Sequence, residues 1–444
     1  MGAAYIASAL RNAGHEIVIY NQDQHHYPES HLTDYLTNNH FDVVGLGIIA
    51  GYYQYRKLLK ISEAVNAVPN RPLYILGGHG PSPEPEYFLK KTGADVICIG
   101  EADETVIELM DAFQNKRSLS SVKGIAYLGG GQLVQTEQRE LIKDLDSLPF
   151  PAWDLFPMDY YSLIRRPQAE KSERVFPVLS SRGCPFKCNF CYRMDKGYRA
   201  RSAESVTEEI QILKKDYGIS YITFDDELVM SSPQRTAALC EAFIKAGLNI
   251  KWFCAGRLNY AKPEILKLMK KAGCVLISYG IESMDDNMLR IMKKNLTTDQ
   301  ITKGIEATIA AGISPGFNII FGNIGETPEI LQKGVEFLLK YDDHAQLRTI
   351  RPVTPYPGCP LYYYAIEKGL LKDIADFYEN KHINSDLLSV NFTDISDKEF
   401  HRVLFEANKT LLENYYKHQL EATTREAEKL YFEKDASFRG FRQA

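Results

Sequence analysis

The stretch Ser180-Ser181-Arg182-Gly183-Cys184-Pro185-Phe186-Lys187-Cys188-Asn189-Phe190-Cys191-Tyr192 sets three thiols at C-x-x-x-C-x-x-C spacing. Thiolate is the soft donor that iron–sulfur centres take, and three thiolates this close can hold three irons of a [4Fe–4S] cluster, leaving the fourth iron without a protein ligand. Two rival readings are weaker. Structural zinc normally takes four ligands, and the nearest further cysteines are Cys98 and Cys240. A disulfide framework is unnecessary in a chain of 444 residues, and three clustered thiols cannot all pair.

Outward from this loop, residues 175–180 read as the strand that feeds it, and helix and strand then alternate. An amphipathic helix at 204–215 follows, with Ser202 placed to cap it just after Arg199 and Arg201. The apolar strands 221–224, 252–255, 275–279 and 316–321 end in Asp225-Asp226-Glu227, Gly256-Arg257, Gly280-Ile281-Glu282-Ser283 and Gly322-Asn323. Polar residues at the C-terminal end of every strand are expected of a parallel barrel, complete or partial, whose site is built from the loops above it.

Before the loop, the same alternation predicts a helix from Ala3 to Asn12, strands at 16–20, 43–49, 73–76 and 96–99, and a helix over 55–65. The strand ends carry Gly45-Leu46-Gly47, Gly77-Gly78-His79-Gly80 and Gly100-Glu101, where glycine lets the backbone approach a ligand. The prolines and aromatics of Leu148-Pro149-Phe150-Pro151-Ala152-Trp153 read as a fixed strap between domains. Past residue 360 come helices rich in tyrosine and charge, read as a cap over the barrel mouth, and a polar tail from Glu421 that is expected to fray.

Cys184, Cys188 and Cys191, with Phe190 before the last cysteine, resemble the signature of the radical S-adenosylmethionine (SAM) enzymes. The preceding α/β segment, with its turns at Gly77-Gly78-His79 and Gly100-Glu101, resembles the cobalamin-binding domain of the cobalamin-dependent branch that includes class B methyltransferases. The resemblance implies an N-terminal doubly wound, Rossmann-like parallel sheet over 1–140, a strap at 141–170, a partial (β/α)6 radical SAM barrel over 171–360, and a helical C-terminal region over 361–444. It implies that the open iron chelates SAM, which is cleaved to a 5′-deoxyadenosyl radical.

Carried over by position, Asp226 and Glu227 would meet the methionine ammonium of SAM, Arg257 its carboxylate or a substrate anion, and Glu282 and Ser283 the ribose. Ile319 would cover adenine and Tyr192 shape the adenosine pocket. Gly47, Gly77, Gly78, His79, Gly100 and Glu101 would lie along the corrinoid, with His79 a loop neighbour of the corrin rather than a cobalt ligand. On that alignment Gly2 to Ile6 begin the first helix, so a strand that would precede them is missing, and the expectation is that translation begins upstream of Met1.

The implied activity is methylation of an unactivated carbon or phosphorus of a small-molecule substrate, with an external flavodoxin-like or ferredoxin-like electron donor. Cyclisation, ring contraction or dehydration with the same cofactors is the enzymatic alternative, and a non-catalytic corrinoid and iron–sulfur binder is the other. Composition agrees with a packed globular protein: 45% hydrophobic and 25% charged residues, with a net charge of −5 that leaves no footprint for nucleic acid. The longest apolar run, 43–53, is too short and glycine-broken to enter a membrane as a span, so the cytoplasm is the expected location.

Overall fold

A computed structural model describes residues 1–194 and 197–437. Two parallel-stranded sheets organise it. The N-terminal sheet has the order β1 (Val43–Gly47), β2 (Leu73–Gly77), β3 (Val96–Cys98), β4 (Ile125–Gly129), β5 (Gln132–Gln135). The first three strands pair in parallel, while β4 and β5 add an antiparallel hairpin that the sequence reading did not contain.

Both faces of this sheet are covered, as the period-2 alternation of side chains requires. Ile75, Val96 and Cys98 face a core shared with the helix Asp103–Gln114 and the first helix, Gly2–Asn12. Tyr74, Leu76 and Ile97 face the opposite core, under the helices Glu29–Asn38, Tyr52–Asn66 and Pro85–Thr92. The expected strand at 16–20 does not form. A strand needs a neighbour to take its backbone groups, and this run has no ladder partner.

The second sheet is a half-barrel of six parallel strands. It starts at β6 (Val175–Val178), which leads directly into a two-stranded antiparallel ribbon, β7 (Ser181–Arg182) and β8 (Arg199–Ala200), with the cysteines in the loop between them. The remaining strands are β9 (Tyr221–Phe224), β10 (Lys251–Gly256), β11 (Cys274–Glu282), β12 (Ser314–Phe321) and β13 (Arg351–Pro352). They run in the order β6-β9-β10-β11-β12-β13. Alternation again sorts their residues. Phe317, Ile319 and Phe321 pack outward into the helix layer, whereas Asn318 is exposed on the inner face and donates to Ser278 Oγ at 2.8 Å. Ser202 caps the helix Ala203–Tyr217 as expected, its Oγ accepting from Ser205 N at 3.0 Å.

The proline-rich strap is held on both sides. Ala152 N donates to Ala4 O at 3.0 Å, Ser8 Oγ to Phe150 O at 2.7 Å, and Trp153 Nε1 to Glu209 at 3.1 Å. The stretch past 360, read as one cap over the mouth, divides in two. The helix Pro360–Glu367 and residues up to Phe392 share a core with the N-terminal sheet. The long helix Asp397–Glu428 lies on the flank of the half-barrel, where Phe400 stacks on Phe321 at 4.7 Å and Asn408 bonds both backbone groups of Ile350 at 2.8 and 2.9 Å. That helix runs through the stretch expected to fray from Glu421; residues 438–444 lie outside the described residues. No helix among the described residues is long and apolar enough to cross a membrane.

Candidate active site

Cys184, Cys188 and Cys191 share the loop between β7 and β8, and that loop is pinned from the half-barrel side. Asn189 N donates to Met292 O at 3.0 Å, its side-chain amide exchanges bonds with that of Asn323 at 3.2 Å, and its carbonyl accepts from Leu361 N at 2.9 Å. Sequence reasoning passed over Asn189 as a spacer between cysteines. The Arg257 guanidinium lies 3.4 Å from the centre of the Phe186 ring and donates to Asn295 O at 3.3 Å and to Lys294 O, bracing the loop from below.

Two cations face the thiols. Accepting a hydrogen bond from the Cys191 thiol lowers the Cys188 pKa, and Lys294 and Arg257 assist against burial. Burial pushes the Cys184 thiol up, with the neighbouring Glu227 carboxylate acting in the same direction. Among the described residues no three His, Cys, Asp or Glu side chains converge on the point one ion would occupy. A cubane takes its thiolates at separate corners rather than around one ion.

The expected nucleotide-binding residues divide. Ser283, 2% exposed, has a hydroxyl without a protein partner, as a group reserved for a ligand would. Glu282 ends β11 with φ at +69°, at a break in the β11–β12 register, and its carboxylate meets Lys294 Nζ at 2.7 Å. A non-glycine residue held there is strained, and strain of this kind concentrates at working sites. Lys294 had no motif to announce it. Glu227 is exposed at the end of β9.

Three expectations are corrected. Asp226 is buried and turned into the protein, accepting from Ser180 N at 3.0 Å, Ser180 Oγ at 2.8 Å and Ser181 Oγ, so it secures the strand that enters the loop and offers nothing to an ammonium group. Ile319 points to the helix layer against Gly334, because strand alternation gives the inner face to Asn318 and Ile320. Glu101 spends both carboxylate oxygens on Arg182 at 2.9 Å and Arg199 at 2.7 Å rather than facing a corrinoid. Arg257 is half committed: Nη2 is bound to backbone while Nε is buried without a partner.

Across from the loop stand the strand ends of the N-terminal sheet. A Cβ at Gly47 or Gly100 would meet nothing within 4 Å, and one at Gly77 only ordinary contact at 3.8 Å, so these turns border open space. Gly78 is obligatory for another reason: at φ +97° its Cβ would lie 2.5 Å from Ile48 O. His79, its pKa lowered by burial, sets its ring edge-on to Tyr192 at 6.0 Å, and Ser82 Oγ lies 3.8 Å from Met194 Sδ. The glycine turn of one sheet and the cysteine loop of the other are in contact. Phe190 and Tyr192 both pack into the core that joins them.

Known proteins divide the chain at the same place. The radical SAM superfamily matches residues 178–338, and the B12 binding domain matches residues 1–110. An uncharacterised methyltransferase of Pyrococcus horikoshii is 31% identical, over 84% of this chain and 79% of its own. An anaerobic magnesium-protoporphyrin IX monomethyl ester cyclase of Cereibacter sphaeroides is 28% identical over 81% of this chain and 59% of its own. In fold, the chain is similar to the radical SAM methyltransferase TsrM of Kitasatospora setae, solved with cobalamin and a [4Fe–4S] cluster, at a TM-score of 0.68 and 17% identity over 82% of this chain and 71% of that one. With a cysteine loop fit for a cluster, open glycine turns set against it, and these matches, the chain belongs to the cobalamin-binding radical S-adenosylmethionine family.

Proposed function

We propose that this protein methylates an unactivated carbon or phosphorus centre of a small-molecule substrate. The observation that carries the reading is the contact of the two ligand-bearing edges, His79 against Tyr192 and Ser82 against Met194, which would set a methyl carrier beside a cleaved nucleotide. The methyltransferase relative of Pyrococcus horikoshii supports it. When bound, the cluster supplies the electron that cleaves SAM and the corrinoid carries the methyl group.

The chain's own residues supply placement. Cys184, Cys188 and Cys191 would hold the cluster, with Lys294 and Arg257 compensating thiolate charge. Ser283 would give its unpaired hydroxyl to the nucleotide, and Glu227 would accept from the ammonium group. Gly47, Gly77 and Gly100 would let the corrinoid lie on backbone, and the His79 ring would stand against Tyr192 rather than ligate cobalt. Electrons would come from a flavodoxin-like or ferredoxin-like partner.

Purification without oxygen, with iron and cobalamin supplied, tests the reading. The wild-type chain is expected to release 5′-deoxyadenosine from SAM, and product from a substrate panel to gain one methyl group. Cys188→Ala is expected to lose cluster absorbance and deoxyadenosine together while circular dichroism is unchanged. Undiminished deoxyadenosine from that variant would refute the cluster assignment, and turnover without methyl gain would move the reading to cyclase-type chemistry.

A further inference from the structure

Two carboxylates that follow β3 and two guanidiniums of the ribbon that carries the cysteine loop form an ion-pair group. Arg182 grips Asp103 through two bonds, 2.8 and 3.1 Å, and Glu101 through a third of 2.9 Å. Arg199 reaches the other oxygen of Glu101 at 2.7 Å. Backbone completes it, since Ile142 N donates to Glu101 at 3.1 Å and Ile142 O accepts from Arg199 at 2.7 Å. The side chains are 6 to 15% exposed.

The placement is what gives this group a meaning. Arg182 lies on β7, two residues before Cys184, and Arg199 on β8, so the group holds both arms of the ribbon from which the cysteine loop hangs. Glu101 follows Gly100, one of the open turns of the N-terminal sheet, and Asp103 begins the helix Asp103–Gln114, whose N-terminal dipole favours its charge. Tyr5 of the first helix lies 5.1 Å from the Arg182 guanidinium and seals one side.

For stability alone such a group is a poor investment, because desolvating four charges offsets most of their attraction, and apolar residues would serve as well. What it supplies is geometry. Bidentate guanidinium–carboxylate pairs fix distance and angle together, where an apolar contact permits sliding.

We propose that Glu101, Asp103, Arg182 and Arg199 are positioning residues, a latch that sets the separation between the cysteine loop and the glycine turns of the B12-binding region. The inference rests on family membership and not on the choice of substrate. The four side chains adjoin the cysteine loop and the glycine turn without being the thiols or the glycines themselves, so the latch acts on the transfer between the two sides more than on either side alone.

Glu101→Gln and Asp103→Asn are the variants to make, since both lie away from the cysteine segment and keep side-chain volume. Hydrogen exchange on the protein without cofactors is expected to speed up at least tenfold in 98–106 and 180–201 together, and to stay unchanged in the half-barrel strands. Iron content and 5′-deoxyadenosine release in the reconstituted protein are expected within twofold of wild type, while methyl transfer from SAM to added reduced cobalamin falls at least tenfold. Glu101→Asp is expected to recover part of that transfer. Unchanged exchange in both segments, or deoxyadenosine release and methyl transfer falling by the same factor, overturns the latch. Loss of deoxyadenosine release in Cys188→Ala with an intact latch response leaves the two proposals independently judged.

Discussion

At the scale of single residues, the site is organised by buried charge. Glu326 is 3% exposed and accepts from Gly322 N at 2.8 Å and Asn323 N at 3.1 Å, the turn that presents Asn323 to Asn189. Burial outweighs those bonds and raises its carboxyl to about 8. The folded chain therefore keeps this proton between the ordinary carboxyl range and pH 8, while the unfolded chain has already shed it. Stability from this group is whole below about pH 4.5 and drains as pH rises toward 8, at roughly 1.4 kcal/mol per pH unit. Unfolding free energies from denaturant titration at pH 5.5 and 7.5 should differ by ~2.5 kcal/mol through this group, and Glu326→Gln should remove that part of the slope. A variant with the wild-type slope would show that Glu326 is ionised in the native state.

At the scale of elements, the junction depends on three segments meeting at one glycine. Gly358 has φ at +93°, and a Cβ there would stand 2.5 Å from the Tyr192 ring and 2.8 Å from Pro83. Gly358→Ala combines backbone strain with a clash, and is expected to cost ~2–4 kcal/mol in denaturant unfolding. Gly247 has φ at +59° with nothing within 4 Å, so Gly247→Ala carries the strain without the clash and should cost about 1 kcal/mol. Equal costs at the two sites would mean that Tyr192 yields and the junction is loose.

Elements also mark the boundary of what the sequence discloses. The cysteine spacing, the strand-end glycines and the amphipathic helices are local patterns, and the chain folds as they read. The side on which Ile319 emerges depends on register, and a shift of one residue reverses it. Asp226, Glu101 and Asn189 are decided by partners far away in sequence: Asp226 by Ser180, Glu101 by Arg182 and Asn189 by Asn323. No window of contiguous residues contains those pairs. The hairpin of β4 and β5 did have a local signal, Gly129-Gly130-Gly131 between alternating runs, that went unread.

At the scale of the molecule, the chain returns from the half-barrel to brace the sheet where it began. Phe377 and Tyr378 pack among Tyr55, Tyr74 and Phe88 in one core, Tyr378 stacks on Tyr55 at 4.5 Å, and Glu379 meets Lys91 at 2.8 Å and Tyr87 at 3.2 Å. The outer core of the half-barrel is a separate cluster with its own helices. Two cores with different membership are expected to open as different units. Phe377→Ala, at a fully buried site, is expected to cost about 3–5 kcal/mol. Hydrogen exchange should then quicken in the helix Tyr52–Asn66 and in Pro360–Glu367 together, although some 300 residues of chain separate them, while the helix Pro263–Lys271 keeps its protection. Leu266→Ala, in the half-barrel core, should produce the reverse pattern. If either variant loosens all three helices alike, the molecule unfolds as one unit, and the cysteine loop cannot be released from the glycine turns without undoing both sheets.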